Sequence, residues 1–252
     1  MNELWLQETA ETFWQAAGGF STDFEYAALC ALPLSVERLP GLSIKSARRF
    51  LTQQGFSGNQ TFGRLPDRPL RACLATLDQD LSFVLLDAGD SAEEQNFSLA
   101  HEVAHYLLDY REPRHKALKY FPPAILETLD ARRSPTPEER WQSALGNISL
   151  RPHLHLMERS GTGDILSGQT LRAEERADRL ALELLAPQEE ALGLVIPAIQ
   201  GLKSYLRRLA AAQEILANHF RLPLPVAQEY ARLLLPEAGA QESFREWLGQ
   251  DL

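Results

Sequence analysis

Ser91-Ala92-Glu93-Glu94-Gln95-Asn96-Phe97-Ser98-Leu99-Ala100-His101-Glu102-Val103-Ala104-His105-Tyr106-Leu107-Leu108 is the stretch that decides the fold. Ser91 and Glu94 stand at capping-box spacing, which gives partners to the N–H groups orphaned at a helix start. Phe97, Leu99, Ala100, Val103, Ala104, Leu107 and Leu108 make the run strongly apolar, and a helix is expected to about Asp109. His101 and His105 are one turn apart on the same face, about 6 Å along the axis. Two imidazoles so placed can reach one tetrahedral ion, as zinc requires. Glu102 lies beside them, where a carboxylate can take a proton from water that such an ion polarises. The competing reading is two histidines and a glutamate on a solvated helix face. It fits poorly with so few other polar residues between Phe97 and Leu108.

Upstream of this helix, Arg71 to Leu77 and Leu81 to Leu86 read as two strands joined by the polar turn Asp78-Gln79-Asp80. Earlier still, residues 2–18 read as a helix, Leu34 to Leu39 alternate at period two, and Ser43 to Gln53 read as a helix ended by Gly55. Downstream, prolines divide residues 111–170 into short pieces. Thr136 to Glu139 repeat the capping-box pattern and open a helix through Leu145. Leu150 to Met157 alternate as a short strand, and a Gly-rich loop, Ser160 to Gly163, follows. Leu171, Ala177, Leu180, Ala181, Leu184 and Leu185 recur at helical spacing, and Pro187 ends that helix. The remainder is mostly helical, interrupted by Pro197, Pro223, Pro225 and Pro236. These elements predict an α+β fold with a small mixed β-sheet packed on the motif helix and a mainly helical C-terminal region. The expected division is a domain over residues 1–190, with an insertion at about 111–170, and a helical region over 191–252.

A catalytic zinc site keeps one position open, so three protein ligands are needed. Glu174 is the expected third ligand, because it lies three residues before Ala177 and seven before Ala181 on the face that packs inward. A solvated, acidic first helical turn is the alternative for Glu174 on position alone. Asp178, four residues on, can accept from a ligating imidazole and fix its tautomer. Asp109, four after His105, can do the same, or it is a surface residue at a helix end. His153 and His155 share one side of their strand, and either could donate to the oxyanion of a tetrahedral intermediate. Tyr110 is a further candidate for that task, and surface or structural histidines are the plain alternative.

Ser98 to Leu108, with Glu174-Glu175-Arg176-Ala177-Asp178-Arg179-Leu180-Ala181-Leu182-Glu183-Leu184-Leu185-Ala186-Pro187, resembles the ImmA/IrrE-type metallopeptidases of bacteria and phages. The resemblance covers about residues 70–190. It implies a zincin-like core, His101, His105 and Glu174 as ligands of Zn2+, and Glu102 as catalytic base. It also implies a protein substrate, a helix-turn-helix transcriptional repressor cut in a stress or mobile-element response. The family's usual Phe before Ala is Leu180 here, and the segment between His105 and Glu174 is longer than usual, suiting a lid, a docking insertion or a plug.

The whole chain sets the outer limits. With 252 residues, 44% hydrophobic and 23% charged, it has an ordinary globular composition. A net charge of −9 argues against general nucleic-acid binding, which needs clustered Lys and Arg. No apolar run reaches the length of about 18 residues that spans a membrane. The acidic opening MNELWLQETAETFW lacks the basic and apolar regions of an export signal, so a cytoplasmic protein is expected. Cys30 and Cys73, far apart in apolar runs, read as reduced, partly buried thiols. Ala210 to Leu235 outline two helices around a turn, but the second offers only Arg232 to DNA, so a packing unit or dimer surface fits better. The leading expectation is a zinc endopeptidase. The alternative is a non-catalytic metal-binding sensor or interaction module on the same fold, although a pure binder has no need of Glu102. A His/His/Glu set also accepts Mn, Co or Fe.

Overall fold

The computed structural model describes residues 4–55, 65–78, 81–130, 132–146, 154–159 and 168–240. Four strands, β1 (Leu34–Leu39), β2 (Leu70–Asp78), β3 (Leu81–Asp87) and β4 (Leu154–Glu158), form one mixed sheet in the order β1-β3-β2-β4. β1 runs parallel to β3, and β2 is antiparallel to both β3 and β4. The helices before the motif are α1 (Leu4–Ala16), α2 (Phe24–Ala31) and α3 (Ile44–Gln53). The motif helix is α4 (Ala92–His105), followed by α5 (Glu112–Tyr120), α6 (Ile125–Leu129) and α7 (Pro137–Gly146). Then come α8 (Gly168–Leu185), α9 (Gln188–Ile199), α10 (Tyr205–His219) and α11 (Leu224–Glu237). The fold is α+β, with the small sheet against α4 and a helical C-terminal region.

The period-two alternation of the strands explains the layering. Ala72, Leu74, Val84 and Leu86 face the main core, which contains Leu99, Ala100 and Val103 of α4. Cys73, Ala75, Phe83 and Leu85 face the other way and pack on Ile44, Ala47 and Leu51 of α3, joined by Leu70 across the register shift between Leu70 and Ala72. β4 obeys the same rule. Leu154 and Leu156 join the α3 side, while His155 pairs opposite Leu74 and so faces α4. The main core continues through Ala177, Leu180 and Leu184 of α8 into Leu209, Leu216, Leu234 and Leu235 of the last two helices. No helix among the described residues is long and apolar enough to cross a membrane.

Both halves of the α4 capping box form: Glu94 N–H donates to Ser91 Oγ at 3.2 Å, and Ser91 N–H donates to Glu94 Oε2 at 3.1 Å. The Thr136/Glu139 box at the head of α7 forms as well. Several expectations need correcting. The α-helical stretch ends at His105, and Tyr106–Arg111 is a π-helical turn in which Glu112 N–H reaches back to the Leu107 carbonyl. A one-residue widening of this kind carries no hydrophobic-period signal, because the apolar spacing stays near helical. α2 was not anticipated, yet Asp23 caps it by accepting from Tyr26 N–H at 3.0 Å. Pro197 and Pro236 do not interrupt helices; they lie inside α9 and α11 near their C-terminal ends. Of the two thiols, Cys73 is buried but Cys30 is exposed. The Gly-rich loop expected at Ser160 to Gly163 lies outside the described residues.

Leu180 is fully buried where α8 meets the core. Leu180→Ala should lower the unfolding free energy by about 2–5 kcal/mol, against about 1 kcal/mol for loss of the α4 cap in Ser91→Ala. Urea denaturation of both variants checks the order, and equal effects would contradict the packing described.

Candidate metal centre

His101, His105 and Glu102 leave α4 between the sheet and α8, and all three are buried. Glu174 and Asp178 come from the facing side of α8, Asp109 from the π-helical turn, and His155 from β4. His101, His105, His155 and Glu174 each offer a donor atom, and all four atoms lie within 4.8 Å of one another.

The closest three make a small triangle. His101 Nε2 and His105 Nε2 are 3.1 Å apart, and Glu174 Oε2 lies 3.4 Å from the first and 3.6 Å from the second. A tetrahedral zinc ion with bonds of 2.0–2.1 Å separates its ligands by about 3.3 Å. The triangle therefore has the size of one face of such a site. The far side of each ring is occupied: His101 Nδ1 is 2.8 Å from Asp178 Oδ1, and His105 Nδ1 is 2.7 Å from Asp109 Oδ2. When each Nδ1–H donates to its carboxylate, the two Nε2 lone pairs face each other and need a cation between them.

Charge points the same way. Glu102, Glu174, Asp178 and Asp109 converge on three imidazoles. Burial pulls the His101 pKa down, but hydrogen bonds to Asp178 and Glu174 and the charge of Glu102 outweigh it and raise the value to about 9. Burial likewise opposes protonation of His155, and Glu102 and Glu174 overcome it, to about 10. Glu102 is pushed up by burial, yet the neighbouring imidazoles hold it below the usual carboxylate range. Glu174 is lowered against its own desolvation by hydrogen bonds from the same three rings. A divalent ion would displace the protons and satisfy the same field.

Glu102 shows a further mark of a site built around a missing group. Its Oε2 accepts from His155 Nδ1 at 2.8 Å, while its Oε1 is buried with no hydrogen-bond partner among the described residues. A buried carboxylate oxygen left without a donor is costly. A water held against the donor triangle is a chemically suitable donor for it. The residues present thus fit a metal ion.

The expected residues divide as follows. His101, Glu102, His105, Glu174, Asp178, Asp109 and His155 converge on one point. His153 lies outside the described residues. Tyr110 stacks against Tyr106 and Arg114 and lines a cavity of about 300 Å³ with Leu32 and Leu126. His155 is not poised simply as an oxyanion donor, since both of its nitrogens face carboxylates of the cluster: Glu102, and Glu174 Oε1 at 3.1 Å. Its membership in the donor set was not foreseen. The signal that could have found it is the parity of β4, which puts His155 on the α4 side of the sheet.

Asp178 is half-exposed on its side chain yet holds a buried ring. Asp178→Asn should weaken zinc binding by about 10–100-fold without unfolding the chain. Competition against a chromophoric chelator measures this, and unchanged affinity would mean that Asp178 does not orient His101.

Residues 65–134, which include the whole of α4, match the family model described as the IrrE N-terminal-like domain, a peptidase family. The match ends before β4 and α8, so the positions of His155 and Glu174 stand on the geometry. No curated protein and no solved structure matches the chain. The chain is similar to a metallopeptidase family across its motif helix and the hairpin before it, and the resemblance to ImmA/IrrE-type proteins is borne out over residues 65–134.

Proposed function

We propose that this chain is a zinc-dependent endopeptidase of the cytoplasm, with Glu102 as catalytic base and His101, His105 and Glu174 as metal ligands. The observation that carries this reading is the donor triangle with the unpartnered Glu102 Oε1 beside it. A bound zinc ion would supply Lewis acidity to a water and to the scissile carbonyl. Glu102 Oε1 takes a proton from that water as its oxygen attacks the carbonyl carbon. The same carboxyl then delivers the proton to the amide nitrogen as the C–N bond breaks. Asp178 and Asp109 hold the two imidazoles in the tautomer that leaves Nε2 free.

Room for a polypeptide adjoins the centre. A cavity of about 950 Å³ lies between α1, α4, β4, α8 and α11, lined by Trp5, Phe97, Met157, Leu182 and Val226, with Asp178 at its margin. β4 pairs only with β2 among the described residues, and its outer edge can take an extended peptide as an added strand. The substrate we propose is a helix-turn-helix transcriptional repressor, cleaved in a stress or mobile-element response. The support for that class is the family resemblance.

Glu102→Gln keeps the shape of the side chain and removes the base. Zinc should still bind one per chain, while cleavage falls by about a hundredfold or more. The assay incubates the zinc-loaded native chain and the variant with helix-turn-helix regulators encoded beside it, read on gels. Full activity in the variant would overturn the mechanism. Failure of the native chain to cut any such regulator would remove the substrate proposal.

A further inference from the structure

The three histidines of the cluster are built alike. Each presents Nδ1 to a carboxylate oxygen at nearly the same distance: His101 to Asp178 at 2.8 Å, His105 to Asp109 at 2.7 Å, and His155 to Glu102 at 2.8 Å. A carboxylate on Nδ1 is the support that a metal-ligating imidazole needs, since it leaves the Nε2 lone pair directed at the ion. His155 Nε2 lies 3.1 Å from Glu174 Oε1, equal to the separation of the two α4 Nε2 atoms. The His155 ring stacks on the His105 ring at 3.7 Å between centroids, with 21° between the planes.

From this repetition we infer that His155 is a fourth protein ligand, supported by Glu102, and that the resting centre is closed. This rests on the metal-site reading above and adds its regulation. Sites with four protein ligands are structural in character, whereas catalytic sites keep a position for water. In the resting chain His155 therefore does two things at once: it takes the place that water needs, and it ties Glu102 Oε2. Release of His155 opens the ion to water and unties the second oxygen of Glu102 together. Among the described residues the strand that carries His155 pairs with one neighbour, β2, so a strand added along its other edge acts directly on the element that carries it.

The test uses the full-length chain, stripped of metal and reloaded with one equivalent of zinc. X-ray absorption at the zinc edge counts imidazoles. The expected result is three imidazoles and a carboxylate oxygen in the native chain, and two imidazoles with added water in His155→Gln. Chelator competition should show zinc held at least about tenfold less tightly by the variant. His155→Ala serves as the second variant, and circular dichroism confirms that both are folded. Two imidazoles, Glu174 and water in the native chain would overturn the fourth-ligand inference and leave the endopeptidase reading standing. Absence of stoichiometric zinc in the native chain, or unchanged binding after His101→Ala, would remove the metal centre itself.

Discussion

The fold is organised around the cost of burying Glu102. Its carboxyl is wholly enclosed between the sheet and α8, and its charge adds to burial in pushing up the pKa of the Cys73 thiol on the far face of the sheet. An isolated buried carboxylate is penalised by far more than the net stability of a domain tolerates, unless positive charge and donors surround it. Here the counter-charge comes from imidazoles on two elements, α4 and β4, and from any cation they hold. Those imidazoles are themselves desolvated and draw on Asp178, Asp109 and Glu174. Removing one member strands the next, so the polar cluster acts as a single unit inside an otherwise apolar core.

This dependence explains why each flanking element is placed as it is. α4 is capped firmly at its N-terminus, which fixes the rotation that puts Glu102 under the sheet and the histidines toward α8. At its C-terminus the widened turn from Tyr106 to Arg111 carries Asp109 beside His105 while burying Tyr106, Leu107, Leu108 and Tyr110. π-helical turns recur at functional sites, and in this one the register change coincides with the residue that orients a ligand. The arginine after β4 makes a second fixed point. Arg159 reaches Asp87 and Asp90 at 2.6 Å each, tying the end of β4 to the loop that precedes α4. One end of β4 is thus anchored by ion pairs just ahead of the motif helix, and His155 within it meets that helix at Glu102.

How much of this could be read in the sequence follows from which interactions are local. The α4 helix, its cap and the closeness of His101 and His105 were legible because spacing along one helix maps directly onto distance in space. Glu174 and Asp178 could be anticipated from the apolar stripe of Ala177, Ala181 and Leu184, which fixes the inward face of α8. The role of His155 was not legible, because parity says which residues share a face and not which face meets α4. That choice depends on β4 pairing with β2 in the register Leu74↔His155, a contact across about eighty residues of chain. The π-helical turn was missed for a related reason: its consequence is the position of one carboxylate and not a change in apolar period.

Two described parts of the stretch between His105 and Glu174, where an insertion over about 111–170 is expected, differ in how they pack. Ala117, Phe121, Ile125 and Leu129 of α5, α6 and their junction form a separate small core, braced by Arg114 and Asp130 at 2.8 Å. That piece packs chiefly on itself and on the π-helical turn, and it lies within the residues that match the family model. β4 is the opposite. It completes the sheet, places Leu154 and Leu156 in the α3 core, and delivers His155 to Glu102. A lid that swings clear of the site would have to break strand pairing, two apolar contacts and the Arg159 ion pairs together.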